Sequence, residues 1–531
     1  MNLATVLRDR AVDSADRPAL VEGDRVVTFA GLDRLAASIA RQLRAARLET
    51  GDRVLVFCPM SVALYAVLVG IWRCGATAVF LDPSTGRAQL ERCCALVSPK
   101  LFLAVPRAHA LRLVSRSIRH IPVALSIDRW LPGARTLTID DRAGDSTIAS
   151  ADHGTPALIT FTSGSTGQPK AAVRSHGFLL AQHRVLAHDL NLQTGQRDLA
   201  ALPIFVLANL ASGVTSIIPD ADLRAPGEIA PARLHRQIRL TQPTRVAASP
   251  ALLDRLASHA ALHGHVLETF EQIYTGGAPV FPRLLSLLQR VAPQAKVVAV
   301  YGSTEAEPIA RVAWNEMHQE DLRAMESGAG LLVGQPITEI DLRILPDRWG
   351  RPIGPYTLDE FDSDTLPAVT TGEIVVAGEH VLTGYLDGVG DSETKFKVGD
   401  RTWHRTGDAG YLDTVGRLWL LGRASARLTD ANGIVYPFAV ECAAMSNPAV
   451  RRCALVEHRG SRVLVVELEP NESEEGVTLL QRQLDWARLT DTFVVAEIPV
   501  DKRHNAKVDY PALRAMLKRR SVVRHSPSTS S

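Results

Sequence analysis

Residues 158–170 read LITFTSGSTGQPK, an apolar run of strand type that leads into a loop of glycines, hydroxyl residues and a lysine. Glycines let backbone N–H groups approach a polyphosphate, hydroxyl groups donate further hydrogen bonds, and the lysine supplies positive charge. The stretch therefore predicts a phosphate-binding loop rather than a plain surface loop. Its spacing is not the Walker pattern, which sets a GK[ST] triplet at a helix start. The candidate phosphate-binding residues are Thr162, Ser163, Gly164, Ser165, Thr166, Gly167 and Lys170.

On either side of this loop, segments with helical periodicity alternate with short apolar, β-branched runs. Such alternation predicts an α/β fold of mostly parallel sheets covered by helices. In the N-terminal part the predicted segments are a helix over 29–48, a strand over 53–57, a helix over 62–72 and a strand over 77–81. Further along they are strands at 244–248, 269–275 and 296–300 and helices at 251–259 and 282–291.

Near residue 330 the sequence pattern changes to short strand-like runs separated by turns rich in Gly, Pro and Asp. This pattern indicates a β-rich subdomain. The predicted strands there lie at 342–345, 372–378 and 416–422. We expect a large N-terminal domain over 1–422 with the subdomain at about 330–422, a hinge at 423–426, and a small, mobile α+β C-terminal domain over 427–517 with a helix around 479–489. Residues 518–531 are weakly hydrophobic and predict a disordered tail.

Four more motifs follow the phosphate loop along the chain. They are GGAP at 276–279, YGSTE at 301–305, HRTGDAGY at 404–411 with GR at 422–423, and PVDKRHNAK at 499–507. The Asp408 carboxylate is suited to accept hydrogen bonds from two neighbouring hydroxyl groups, and Arg423 offers a planar fork of donors. Taken singly, GGAP and YGSTE are more often turns, Asp408 has a turn aspartate as its alternative interpretation, and Lys507 would be a solvated surface lysine.

SGSTGQPK at 163–170 resembles the phosphate loop of the adenylate-forming superfamily of acyl-CoA synthetases, adenylation domains and luciferases, the AMP-dependent synthetases and ligases. The other motifs resemble that superfamily in the same order and extend the likeness from about residue 10 to 515. The resemblance implies that Tyr301 stacks on adenine, Thr304 contacts the α-phosphate, and Glu305 and Thr166 hold Mg²⁺. It also implies that Asp408 binds the ribose, that Arg423 binds the ribose or a phosphate, and that Lys507 is the adenylation lysine. The remaining nucleotide-binding positions implied are Gly277, Ala278, Pro279, Gly302 and Ser303.

The same resemblance implies the reaction. A carboxylic acid substrate would attack the α-phosphate of ATP with magnesium present, giving an acyl-AMP and pyrophosphate, with Lys507, Thr166 and Glu305 as the catalytic residues. The apolar run at 204–218 either lines an acyl tunnel or is plain core. The chain departs from many relatives at the hinge, where Ser425 and Ala426 stand, at Ala171 after the PK pair, and over 202–207, which lacks the histidine that often gates the acyl pocket.

These departures, with DPSTGRAQL at 82–90 and RHNAK at 503–507, resemble olefin β-lactone synthetases and fatty acyl-CoA ligases. The expected acid is therefore a fatty or 3-hydroxy fatty acid, an activity in lipid metabolism. Intramolecular closure to a β-lactone stands slightly ahead of transfer to coenzyme A as the second step. A nucleotide- or acyl-binding protein without catalysis is the alternative from another class.

Composition and charge bear on the partners and the location expected for the protein. The 59 basic and 57 acidic residues give a net charge of +2, too weak a field to recruit nucleic acid by itself. Six cysteines without zinc spacing suit reduced thiols and a cytoplasmic location. The N-terminus lacks a secretory signal, and the most apolar run, at 60–72, is followed at once by Arg73 and is too short to span a bilayer. Sequence leaves the oligomeric state open.

Overall fold

The computed structural model describes residues 1–82, 85–141, 144–163, 169–470, 472, 474–500, 508–519 and 523–525. The N-terminal elements are α1 (Leu3–Asp13), β1 (Pro18–Glu22), β2 (Arg25–Thr28), α2 (Phe29–Ala45), β3 (Arg53–Phe57), α3 (Val62–Arg73), β4 (Thr77–Phe80), α4 (Arg87–Val97), β5 (Leu101–Ala104), α5 (Leu111–Val114), α6 (Arg116–Arg119), β6 (Val123–Ile127), β7 (Arg135–Leu137), β8 (Pro156–Ser163) and β9 (Pro169–Ser175). One sheet runs in the order β7-β6-β5-β3-β4-β8-β9, and its strands are parallel except for β9, which returns antiparallel to β8.

The central elements are α7 (His176–Asp189), β10 (Arg197–Ala200), α8 (Pro203–Ser212), β11 (Thr215–Ile218), α9 (Pro231–Thr241), β12 (Arg245–Ala248), α10 (Pro250–Leu262), β13 (Gln272–Gly276), α11 (Pro282–Val291), β14 (Lys296–Ser303), β15 (Ala306–Ala313) and α12 (Gln319–Glu326). Local signals start these helices: the Ser175 hydroxyl accepts from the Phe178 N–H to cap α7, and Ser249 with Pro250 begins α10. Strands β11, β10, β12, β13 and β14 pair in parallel, which confirms the α/β fold class.

The next elements are β16 (Leu331–Pro336), β17 (Asp341–Leu345), α13 (Leu358–Asp364), β18 (Gly372–Ala377), α14 (Asp391–Thr394), β19 (Lys395–Val398), β20 (Arg401–Leu412) and β21 (Leu418–Arg423). These strands form the β-rich region that the turn-rich sequence predicts, and they pair antiparallel. They are not a detached sheet, however, because β16 also pairs with β15 and so continues the central sheet.

The final elements are β22 (Leu428–Asp430), β23 (Gly433–Val435), α15 (Pro437–Met445), β24 (Val450–His458), β25 (Ser461–Leu468), α16 (Glu474–Gln483), β26 (Asp491–Val494), α17 (Tyr510–Arg519) and β27 (Val523–His525). Strands β24 to β27 form a separate sheet. The helix predicted around 479–489 ends at Gln483, because a short 3-10 turn follows and Arg488 takes a left-handed backbone with φ of 51°. The end of α17 and the whole of β27 lie within 518–531, the range predicted as a disordered tail.

Burial follows the amphipathic pattern of the elements. Helix α3 is buried along its length between α2 and the first sheet, which explains its uninterrupted apolar sequence. Within the described part of the chain, no helix combines the length and apolarity needed to cross a membrane. The six cysteines are free thiols in the structure, and five of them are buried.

Candidate active site

Strand register brings two of the predicted motifs to one edge of the central sheet. β13 and β14 pair in parallel with Gly276 opposite Val300, so GGAP and YGSTE both begin within the carboxyl ends of neighbouring strands and continue into the turns that follow. Open α/β sheets bind ligands at that edge. Ser303 then pairs with Ala306, which leaves Thr304 and Glu305 at the tip of a tight β14–β15 turn. Gly277 at the same edge is exposed, while Ala278 and Pro279 are half-buried.

Tyr301, Asp408 and Arg423 meet at this edge. The Tyr301 hydroxyl donates to Oδ2 of Asp408 at 2.7 Å, and Arg423 Nε lies 3.2 Å from the other carboxylate oxygen. Pairing of β20 with β21 sets Asp408 opposite Arg423. Burial, together with the Asp408 charge, raises the pKa of Tyr301 well above its ordinary value, so the hydroxyl stays protonated as a donor.

Asp408 is itself held in place by the strand that carries it. Its backbone N–H donates to the Thr406 hydroxyl at 3.0 Å, and that hydroxyl donates to the Ile374 carbonyl at 2.9 Å. A carboxylate oxygen accepts more than one hydrogen bond, so the contacts to Tyr301 and Arg423 leave Asp408 able to accept from a ligand hydroxyl as well. The Arg423 side chain is 58% exposed and keeps donors available for the same ligand.

Glu305 lies in a second group of side chains that includes Tyr385. The Tyr385 hydroxyl donates to Glu305 Oε1 at 2.9 Å. Burial works against ionisation of Glu305, whereas His404, the Tyr385 hydroxyl and Lys395 favour it, and the balance lowers the pKa of this carboxyl below its ordinary value. Glu305 is therefore an ionised, partly buried carboxylate at neutral pH.

Two lysines flank the Tyr385 ring. Lys170 Nζ lies 5.7 Å and Lys395 Nζ 5.5 Å from the ring centroid, distances at which an ammonium attracts the π face. Lys170 also pairs with Glu393 at 2.7 Å, while Lys395 Nζ donates to the Leu382 carbonyl. Burial lowers the pKa of Lys395 to about 7 despite the nearby Glu305 and Asp391.

The phosphate hairpin contacts the YGSTE turn directly. Arg174 on β9 is buried, and its Nη2 donates to the Thr304 carbonyl at 2.9 Å. Sequence reasoning missed Arg174, Tyr385, Lys395 and His404 as parts of this site. His404 stands inside the HRTGD motif, and that position was the one available signal, whereas Tyr385 and Lys395 belong to an irregular stretch without periodicity.

Some of the predicted residues lie outside the described part of the chain. These are Gly164, Ser165, Thr166 and Gly167 of the phosphate loop and Lys507 near the C-terminus. Strands β8 and β9 bracket the loop, with Ser163 opposite Pro169 and Thr162 opposite Lys170. A bridge between Val500 and Val508 brackets the segment of Lys507 in the same way.

The side chains near Glu305 suit magnesium better than a metal ion that is held by several protein ligands. Magnesium is usually held by one or two carboxylates together with substrate phosphates and water. Among the described residues, no three His, Cys, Asp or Glu side chains converge as a ready metal site. The ionised Glu305 carboxylate beside the lysine-lined region suits a cation that arrives with a polyphosphate.

The apolar run at 204–218 forms α8 and β11, and most of it is core. Phe205, Val206, Leu210 and Ile217 are buried. One side of α8, with α1, α3 and α7, lines an apolar cavity of about 50 Å³. This volume is far below the roughly 300 to 1,000 Å³ of small-molecule pockets. The cavity is therefore a packing gap and not an acyl tunnel.

Residues 7–386 match the profile of the AMP-binding enzyme family. The chain belongs to this family. This chain is also 32% identical over 507 residues to the olefin β-lactone synthetase of Stenotrophomonas maltophilia (strain K279a). The match covers 91% of this chain and 90% of that protein. The superfamily resemblance of the motifs is thereby confirmed.

Solved structures agree on the fold of the AMP-binding enzyme. An anthranilate CoA ligase in complex with anthranoyl-AMP superposes with a TM-score of 0.82 at 17% identity, covering 98% of this chain and 97% of that one. The O-succinylbenzoate coenzyme A synthetase of Bacillus subtilis, solved with ATP and magnesium ion, gives 0.75 at 22% identity and covers 97% and 99%. The chain is an AMP-forming ligase that activates a carboxylic acid as its adenylate.

Proposed function

We propose that this ligase activates a 3-hydroxy fatty acid with ATP and magnesium and then closes the acyl adenylate to a β-lactone. The observation that carries the proposal is the 32% identity, over nine-tenths of both chains, to an olefin β-lactone synthetase. The Bacillus subtilis relative solved with ATP and magnesium supports both as ligands here. The single ionised carboxylate of Glu305 supports the magnesium.

In the proposed nucleotide site, adenine lies against Tyr301 and the wall of Gly277, Ala278 and Pro279. Asp408 accepts from the ribose hydroxyls, and Arg423 donates to the ribose or a phosphate. The geometry at Asp408 supports this role, because Tyr301 and Arg423 hold the carboxylate without exhausting its lone pairs.

In the proposed polyphosphate site, the loop residues Thr162 to Gly167 and Lys170 contact the phosphates, and Gly302, Ser303 and Thr304 line the α-phosphate. Glu305 and Thr166 bind magnesium. The bound ion supplies charge neutralisation for the departing pyrophosphate. Lys507 bridges the substrate carboxylate and the α-phosphate, which reduces the repulsion between two anions that must approach closely.

The second proposed step needs no external acyl acceptor. The 3-hydroxyl oxygen attacks the acyl carbon, a new C–O bond closes the four-membered ring, the acyl–phosphate C–O bond breaks, and AMP leaves as the hydroxyl proton is released. An intramolecular nucleophile gains from proximity. The proposed hinge at 423–426 separates the nucleotide site on 1–422 from Lys507 on 427–517, and the short 3-10 turn Ala424–Ala426 supports its position.

The product distinguishes this function from acyl-CoA synthesis. Purified protein is incubated with ATP, magnesium and a 3-hydroxy fatty acid, with and without coenzyme A, and products are identified by mass spectrometry. We expect a β-lactone and AMP in both mixtures, and only an acyl adenylate from the matched acid without the 3-hydroxyl. A thioester that forms only with coenzyme A, without lactone, would reject the proposal in favour of an acyl-CoA synthetase.

A further inference from the structure

Residues 381–395, which we call the clamp segment, touch both halves of the proposed polyphosphate site. Val381 forms a bridge with Ala306, next to Glu305, and Tyr385 forms a bridge with Ala172, two residues beyond Lys170. The Leu382 N–H donates to the Glu305 carbonyl at 2.7 Å. The clamp segment therefore fixes the distance between the strand of Lys170 and the turn of Glu305.

Tyr385 is the side chain through which the clamp segment reaches the carboxylate. Its ring is buried, and its hydroxyl donates to Glu305 Oε1 at 2.9 Å. The Tyr385 N–H donates to Asp391 Oδ1 at 2.8 Å, which ties the segment to itself. The side-chain nitrogens of Lys170 and Lys395 lie 5.7 Å and 5.5 Å from the centroid of the same ring.

The packing leaves little freedom at Lys170 as well. Gly390 in the clamp segment lies so close that a β-carbon there would come within 2.6 Å of Cδ and Cε of Lys170. Glu393 pairs with the Lys170 ammonium at 2.7 Å. One short segment thus orients both the lysine and the carboxylate.

We propose that Tyr385 is a positioning residue that aligns the Glu305 carboxylate with a magnesium–polyphosphate complex and couples that alignment to Lys170. The inference rests on the proposed function, in which Glu305 binds magnesium. Magnesium demands near-ideal octahedral geometry, so a ligand that loses its orientation binds it less well. Hydrogen-bond partners of metal ligands typically matter about 10- to 100-fold in metal affinity.

The test measures ATP affinity of the full-length protein by calorimetry, once with magnesium and once with EDTA. In Tyr385→Phe the gain in ATP affinity on adding magnesium should fall about tenfold, while the affinity in EDTA stays within about twofold of wild type. The matched control is Tyr356→Phe, which removes another hydroxyl that donates to a carboxylate, Asp364 Oδ2 at 2.9 Å, and should leave both affinities unchanged.

An undiminished magnesium gain in Tyr385→Phe would overturn the inference. Glu305→Gln separates that result from a failure of the proposed function: if it too keeps the full gain, Glu305 is not a magnesium ligand. If Glu305→Gln loses the gain and Tyr385→Phe keeps it, only the positioning role fails. Circular dichroism checks folding, and Tyr385→Met, which also lacks the donor, repeats the test if Tyr385→Phe does not fold.

Discussion

Two ion pairs on strand β20, three residues apart, have opposite surroundings. Arg405 and Glu373 are each 1% exposed and pair side-on through one edge of the guanidinium, Nε to Oε1 at 2.9 Å and Nη2 to Oε2 at 2.6 Å. Asp408 and Arg423 share a single contact of 3.2 Å, and the Arg423 side chain is 58% exposed.

The difference distinguishes a structural residue of the HRTGD motif, Arg405, from a candidate ligand-binding residue, Asp408. Arg405 donates from Nη1 to the Arg351 and Glu393 carbonyls and lies 5.2 Å from the Trp349 ring centroid, so the protein itself occupies most of its donors. Arg423 bonds only one further group among the described residues, the Thr406 carbonyl at 3.1 Å. In HRTGD the arginine is structural, whereas the aspartate remains available to a ligand.

Removing each arginine in turn is the most direct test of whether Arg405 stabilises the fold and Arg423 does not. Arg405→Met should lower the free energy of unfolding by about 3 to 5 kcal/mol, because it leaves the Glu373 charge buried and unpaired. Arg423→Met, the matched control, should change it by about 1 kcal/mol, because the Arg423 guanidinium is largely exposed and the buried Asp408 keeps its hydrogen bond from Tyr301. Denaturant unfolding measures both, and equal losses in the two variants would erase the distinction.

A smaller effect is expected on the ligand-binding side. Asp408→Asn keeps the shape of the side chain but removes its charge, and hydrogen bonds to charged groups are worth about 1.5 to 3 kcal/mol. We expect AMP affinity measured by calorimetry to fall about 10-fold or more, with unfolding almost unchanged. An AMP affinity equal to that of wild type would remove Asp408 from the nucleotide site.

His404, one residue before Arg405, gives the smallest expected effect, and it depends on pH. Burial, with Lys395 beside it, lowers the pKa of His404 to about 3. Because the unfolded chain binds a proton near pH 6.5 and the folded chain does not, stability is retained above pH 6.5 and lost as pH falls. The loss from this residue between pH 7.5 and 5.5 is about 1.4 kcal/mol. Unfolding of His404→Asn at the two pH values should show a loss smaller by that amount; an identical loss would contradict a neutral His404.

Regular elements were predictable where local signals and periodicity agree. The helix predicted over 282–291 has those bounds in α11, and the strand over 53–57 has those bounds in β3, because each carries a strong apolar pattern between turn residues. The place of the candidate site at the strand ends was predictable too, since the carboxyl ends of parallel strands mark binding edges.

The clamp segment was not predictable. Its residues form short turns, and Tyr385 and Lys395 acquire their surroundings only from contacts with β9 and the β14–β15 turn, far away in sequence. The join between β15 and β16 was missed because register between distant strands leaves no periodic signal within either strand.

Arg423 is the last residue of β21, immediately before the turn Ala424–Ala426. If the small C-terminal domain rotates about the proposed hinge, the ion pair of Arg423 with Asp408 lies almost on the rotation axis. Points near an axis sweep the shortest arcs, so a swing large enough to withdraw the C-terminal lysine would scarcely disturb the sugar. The ribose of the adenylate would keep its contacts while the residues around the acyl group change.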